Sequence, residues 1–228
     1  MEKENLLKNG LKKVGFSDEQ IKNLQPKMDL YINEIALFNS AYNLTNTSDY
    51  EELVTRHILD SLSAYIPIKN LIEKKDSNIL IGDIGSGGGL PGIPLSVAFP
   101  NINFRLVERM SKRCAFLENC SAILGLKNVE VMNSEAEQIP SEFFDIVVFR
   151  AFRPLDKKMT KTLLKMTKSG GNLVAYKAKL DSINEEMNEI KDLIPEYEII
   201  KLNVPGLEQN ERNLVVIKKI KEGKYDFR

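Results

Sequence analysis

Asp83, Gly85, Gly87, Gly88 and Gly89 crowd into one short run, DIGSGGGLPG, from Asp83 to Gly92. A carboxylate set just before several glycines puts a negative charge beside backbone that can bend sharply and approach a ligand closely. The run follows an apolar segment, Ile79 to Ile84, which reads as a strand buried on both faces. It leads into IPLSVAF, read as a helix opened by Pro91 and Pro94. The unit is therefore a strand, a glycine-rich turn and a helix N-terminus, whose unpaired N–H groups are expected to point at a bound ligand.

Two nucleotide cofactors use such a junction. Gly87, Gly89 and Gly92 satisfy the G-x-G-x-x-G dinucleotide pattern, and Glu108 follows at the end of the next predicted strand, where a ribose-binding acid belongs. Asp83 discriminates between them. At the carboxyl end of its strand it would repel a pyrophosphate, whereas it suits the ammonium of a methionine moiety. The D-x-G-x-G-x-G order thus favours S-adenosylmethionine, and Glu108 fits either ribose. A tight turn that binds nothing leaves the glycines without a purpose.

Other side chains could join the chemistry. Ser134-Glu135-Ala136-Glu137 follows the third predicted strand and either reaches an adenine or caps a helix through Ser134. Arg150-Ala151 ends the fourth strand. Amine methyltransferases acting on adenine or cytosine carry D/N-P-P-Y/F/W there, but this chain has FRAF. An arginine suits phosphate or carboxylate recognition, or the edge of a guanine; the bland alternative is a surface ion pair. His57 lies in RHILDSL, where Arg56 and Asp60 are i,i+4 neighbours. Lys112, Arg113, Lys177 and Lys179 gather at the predicted carboxyl edge of the sheet and are candidates for RNA contact. Lys157, Lys161, Lys165 and Lys168 read as a solvated face opposite Met159, Leu163 and Met166.

The elements that must position these residues follow from pattern. The 228 residues carry 32 basic and 32 acidic side chains, a balance that argues against a strongly basic nucleic-acid coat while leaving room for a local patch. With one histidine and two cysteines, Cys114 and Cys120 on one predicted helix, a structural zinc site is not expected. The charged start, MEKENLLKNG, and the lack of long apolar runs place the protein in the cytoplasm.

Residues 1–75 show helical periodicity. A first stripe through Leu6, Leu7, Leu11 and Val14 ends at Gly15. Ser17 and Gln20 form a capping box for a short second helix, Pro26 opens a third, and a fourth runs through Leu53, Ile58, Leu62 and Tyr65. Residues 76–228 alternate. Strands are expected at 79–84, 103–108, 128–132, 144–149 and 171–177, with helices beginning near Pro91, Ser111, Ala136, Leu155 and Asp181. Tyr197–Val204 and Asn213–Ile220 should pair as an antiparallel hairpin. The expected architecture is α/β: a Rossmann-like class I methyltransferase layout, its mostly parallel seven-stranded sheet closed by that hairpin and covered by a helical N-terminal extension.

Asn43-Leu44-Thr45, RHILDSL, DIGSGGGLPGIPL, Lys112-Arg113 and Arg150-Ala151, in this order and spacing, resemble the bacterial small-subunit (16S) ribosomal RNA guanine-N7 methyltransferases, also called the glucose-inhibited division protein B family. The resemblance covers nearly the whole chain. It implies cofactor contacts at Gly85, Leu90, Ala136, Glu137 and Arg150, and RNA-facing roles near His57 and Arg113. It also implies a ribosomal RNA or 30S particle as partner; with no apolar run long enough for a membrane span, no membrane contact is expected, and the enzyme is expected to be a monomer. Guanine N7 holds an in-plane lone pair, so its methylation needs alignment by residues such as Arg150 and His57 and no general base. Other classes stay open: a methyltransferase for small molecules or proteins, an RNA-binding module with a vestigial pocket, and a nicotinamide-dependent oxidoreductase.

Overall fold

The computed structural model describes residues 2–75, 78–150 and 155–220, with side chains from Leu6 onward. Ala151 and the expected start of the core at residue 76 lie outside the described residues. The first helix, α1 (Glu2–Val14), is followed by α2 (Asp18–Tyr42), which the Ser17–Gln20 capping box opens as expected. Pro26 does not begin a new helix; it sits inside α2, a single helix of 25 residues. One missing backbone bond and a ring clash cost ~3 kcal/mol in a helix interior. Ile21, Leu24, Met28, Tyr31, Ile32 and Ile35 are all buried on the same helix, and at roughly 1.5–3 kcal/mol per buried large side chain the continuous stripe outweighs the proline.

The expected fourth helix is wound three ways: α3 (Tyr50–Glu52), a π-helix (Leu53–Leu59) and α4 (Asp60–Leu62), followed by a separate α5 (Tyr65–Glu73). The wider π turn lets Leu53, Val54, Ile58 and Leu59 all be buried. α1 crosses it closely, for a Cβ on Gly10 would stand 2.3 Å from Leu59 Cδ1.

The sheet comprises β1 (Leu80–Ile84), β2 (Asn103–Glu108), β3 (Val129–Asn133), β4 (Phe144–Arg150), β5 (Thr167–Lys177), β6 (Glu198–Lys201) and β7 (Asn213–Lys218), in the order β3-β2-β1-β4-β5-β7-β6. β1 to β5 are parallel neighbours, and β7 runs antiparallel to both β5 and β6. The expected hairpin therefore forms, with β7 inserted between β5 and β6. The chain winds outward from β1 to β3, then returns to β4 on the other side of β1. This reversal makes the switch point at which open α/β sheets bind ligands, outside the strands' carboxyl ends.

Helices α6 (Gly92–Ala98), α7 (Ser111–Ile123), α8 (Lys157–Met166) and α9 (Leu180–Glu189) complete the layers. The helix expected at Ala136 is only a 3-10 turn, Ala136–Gln138. Side chains alternate along the strands: Ile146 and Val148 join a core shared with the N-terminal helices, α6 and α7, while Val147 and Phe149 join a second core with α8 and α9. α8 buries Met159, Leu163 and Met166 as its stripe foretold. Among the described residues, no helix is long and apolar enough to cross a membrane.

Candidate active site

The glycine turn leaves β1 and crosses the end of β2. Its backbone donors are largely consumed by the protein: Gly85 and Ser86 N–H donate to the Val107 carbonyl, Gly89 and Leu90 to that of Ser86, and Ile93 to that of Gly89. Gly87 N–H donates to Glu108 Oε2 at 2.9 Å, and Gly92 N–H to Asp83 Oδ2 at 2.9 Å. The expectation of unpaired donors aimed at a ligand is thus corrected. A turn whose N–H groups are already bonded is a poor cradle for a pyrophosphate, which needs those donors.

Asp83 lies at the carboxyl end of β1, 1 % exposed. Its Oδ2 also accepts from Ser86 Oγ at 2.7 Å, while Oδ1, equally buried, has no partner. Burial pushes its carboxyl up to about 6, against the opposing pull of the Ser86 and Gly92 hydrogen bonds. An ionised acid with one orphaned buried oxygen is a seat awaiting a cation. Two residues further along the turn, at Gly85, a cavity of about 300 Å³ opens, lined also by Glu108, Arg113, Ser134, Ala136 and Glu137. Leu90 is buried in the same turn. Glu108 uses both oxygens to tie backbone in place, taking Met110 N–H on Oε1 as well as Gly87 on Oε2. Each carboxylate oxygen keeps a second lone pair for a hydroxyl. Ser134 does not cap the following turn; its hydroxyl bonds Glu135 O and Gln138 Oε1.

The N-terminal helices close over the turn. The Tyr31 hydroxyl donates to the Gly88 carbonyl, and a Cβ on Gly88 would stand 3.3 Å from Leu44 Cβ. Arg113 reaches the same loop, its Nη2 donating to Asn43 O at 2.9 Å, so one of the candidate RNA contacts is partly engaged within the protein.

At the end of β4, Arg150 is mostly buried and paired with Asp60, Nη1 to Oδ2 at 2.7 Å, so it is no surface arginine. Asp60 also holds Arg212 through Oδ1 at 3.1 Å. The sequence neighbour Arg56 pairs instead with Glu52 at 3.4 Å, while Asp60 is buried and taken up by Arg150 and Arg212. Arg150 Nη2 lies 3.3 Å from His57 Nδ1. A guanidinium can only donate, so Nδ1 accepts and the neutral ring carries its proton on Nε2, which is buried without a partner. Burial and the adjacent Arg150 push the imidazole down to about 4, keeping it neutral. Lys112 and Lys179 are exposed, whereas Lys177 is sequestered against Glu186 at 2.5 Å. Tyr31, Asp60 and Arg212 were not among the residues singled out for chemistry as separate side chains. Their partners are remote in the chain, and only the RHILDSL run hinted at Asp60.

The family model for GidB, rRNA small subunit methyltransferase G, matches residues 24–215. A curated relative from Treponema denticola, named ribosomal RNA small subunit methyltransferase G, is 41% identical over 94% of this chain and 94% of its own. The chain belongs to the rRNA small subunit methyltransferase G family. Another member, from Borrelia garinii subsp. bavariensis, is 36% identical over 86% of this chain and 90% of its own. Among solved structures, a SAM dependent methyltransferase from Aquifex aeolicus matches with a TM-score of 0.52 at 18% identity, covering 71% of this chain and 93% of that one. At that identity the likeness concerns the fold alone, and it is the class I methyltransferase fold.

Proposed function

We propose that the protein transfers a methyl group from S-adenosylmethionine to N7 of a guanine in small-subunit ribosomal RNA. The observation that carries this reading is the buried, half-partnered carboxylate of Asp83 before a turn whose N–H groups are largely bonded already. That combination suits a phosphate-free cofactor bearing an ammonium. In this reading Asp83 Oδ1 takes the ammonium, Glu108 accepts from the ribose hydroxyls, and Ala136 and Glu137 border the adenine. Gly85, Gly87, Gly89 and Leu90 shape the wall between them.

When bound, S-adenosylmethionine supplies an electrophilic methyl carbon. The protein's own task is orientation. Guanine N7 keeps its lone pair free at neutral pH, so no residue need remove a proton before transfer; Arg150 and neutral His57 position the base and exclude water. Arg56, Lys112, Arg113 and Lys179 offer charge to the RNA backbone at the same edge. Lys177 contributes only if Glu186 releases it. Residues 1–75 and 76–228 act as extension and core of one cytoplasmic monomer, with naked RNA or the assembled 30S particle as substrate.

The test is incorporation of labelled methyl into ribosomal RNA from a strain lacking this enzyme, followed by nucleoside mass analysis. Label in 7-methylguanosine that disappears with Asp83→Asn supports the reading. Cofactor binding without label in RNA overturns the substrate assignment.

A further inference from the structure

Asp60 is shared by two arginines from distant parts of the chain. Its side chain is 8% exposed, and those of Arg150 and Arg212 are 14% and 27% exposed. Two guanidinium groups on one carboxylate leave one positive charge over. No ion pair among the described residues cancels it: Arg56 is balanced by Glu52, His57 is neutral, Glu211 pairs with neither arginine, and Asp83, whose carboxylate feels Arg150, is the proposed seat of the cofactor's ammonium. Excess charge in a largely buried place is unfavourable until an anion completes it.

Arg212 is also held rigidly. Its carbonyl accepts from Leu202 N–H at 2.8 Å, and its Nη1 donates to Glu211 O at 2.9 Å. The loop that carries it lies hard against the π-helix, where a Cβ on Gly206 would stand 2.6 Å from Thr55 Cγ2. The Asp60 and Glu211 bonds use Nε and Nη1, which leaves the Nη2 donors for a ligand. Arg212 itself stands away from the cofactor cavity, whereas Arg150 ends β4, the strand next to β1. Arg212 immediately precedes β7, three strands from β1 in the sheet order, or ~14 Å at ~4.8 Å per strand. The cavity lies on the opposite side of β1, at the ends of β2 and β3.

We propose that Arg212 is a substrate-binding residue that, with Arg150 across their shared Asp60, seats a backbone phosphate of the RNA next to the target nucleotide. The proposal rests on the reading as an RNA methyltransferase and adds a phosphate contact to it.

The experiment compares full-length wild type, Arg212→Gln and Arg212→Lys. RNA affinity is measured against potassium chloride concentration, S-adenosylmethionine affinity by calorimetry, and thermal stability alongside. Loss of one phosphate contact should weaken RNA binding about tenfold and make the logarithmic salt slope shallower by about 0.7–0.9 in Arg212→Gln, leaving cofactor affinity unchanged. Arg212→Lys keeps the charge and should keep the slope. An unaltered slope with lowered thermal stability would show a purely structural residue and overturn the proposal. So would weakened cofactor affinity at an unaltered slope, which would hand the anion seat to the methionine carboxylate. If Arg212→Gln does not fold, Arg212→Met takes its place: a slope shallower by the same amount supports the seat, and an unaltered slope overturns it. Wild-type protein that binds no RNA would instead overturn the proposed function itself.

Discussion

With the cofactor's ammonium seated on Asp83 as proposed, binding becomes a titration. The folded-state value of Asp83, about 6, lies above the ordinary 3.8 because burial penalises the charge. A raised carboxyl destabilises the fold as pH climbs from the unfolded value through about 6, because the unfolded chain ionises more readily. Binding of an ammonium reverses that penalty and draws the proton off. Calorimetry between pH 5 and 7 should therefore show cofactor affinity level above about 6 and falling about tenfold per pH unit below it. Asp83→Asn should flatten that profile and weaken binding by about 1.5–3 kcal/mol, the loss expected for a hydrogen bond to a charged group. Two glycines make a second comparison at this scale. Gly89 has φ +91°, and an added Cβ would stand 2.7 Å from Ile93 Cδ1; Gly125 has φ +62° but open space around it. Gly125→Ala should cost only the left-handed backbone, about 1–2 kcal/mol, whereas Gly89→Ala should cost several times that in denaturant unfolding.

At the scale of elements, α2 does more than cover the sheet, since Tyr31 on its buried stripe bonds the carbonyl of Gly88 in the glycine turn. Tyr31→Phe keeps the ring and strands that carbonyl. Unfolding free energy should fall by about 1–3 kcal/mol and cofactor affinity should weaken with it, measured by denaturant titration and calorimetry. What sequence made legible and what it hid divide along the same line. The strand, turn and helix around Asp83 were readable because every signal there is local: charge, glycines and prolines within ten positions. The continuity of α2 through Pro26 was not, because burial along a whole stripe decided it. Nor was the π-helix, since its winding answers to the close passage of α1 at Gly10. The two-arginine seat on Asp60 joins residues 90 and 152 positions apart, a distance no local pattern spans.

For the whole molecule, the N-terminal helices and one sheet face form a single hydrophobic core: Leu7, Leu11, Ile32 and Leu53 belong with Ile81, Leu106 and Val174. Deleting residues 1–48 would bare that face and the glycine turn together. The truncated chain should lose near-ultraviolet dichroism and become protease-sensitive, even though every strand remains. Arg212 joins the last strand to Asp60, which lies before the first. During synthesis, therefore, Asp60 leaves the ribosome long before the arginines that pair with it, and a nascent chain arrested before β7 holds Asp60 and Arg150 without the third charge of the cluster. Only a chain made as far as β7 can complete that edge, so the cluster closes late in synthesis.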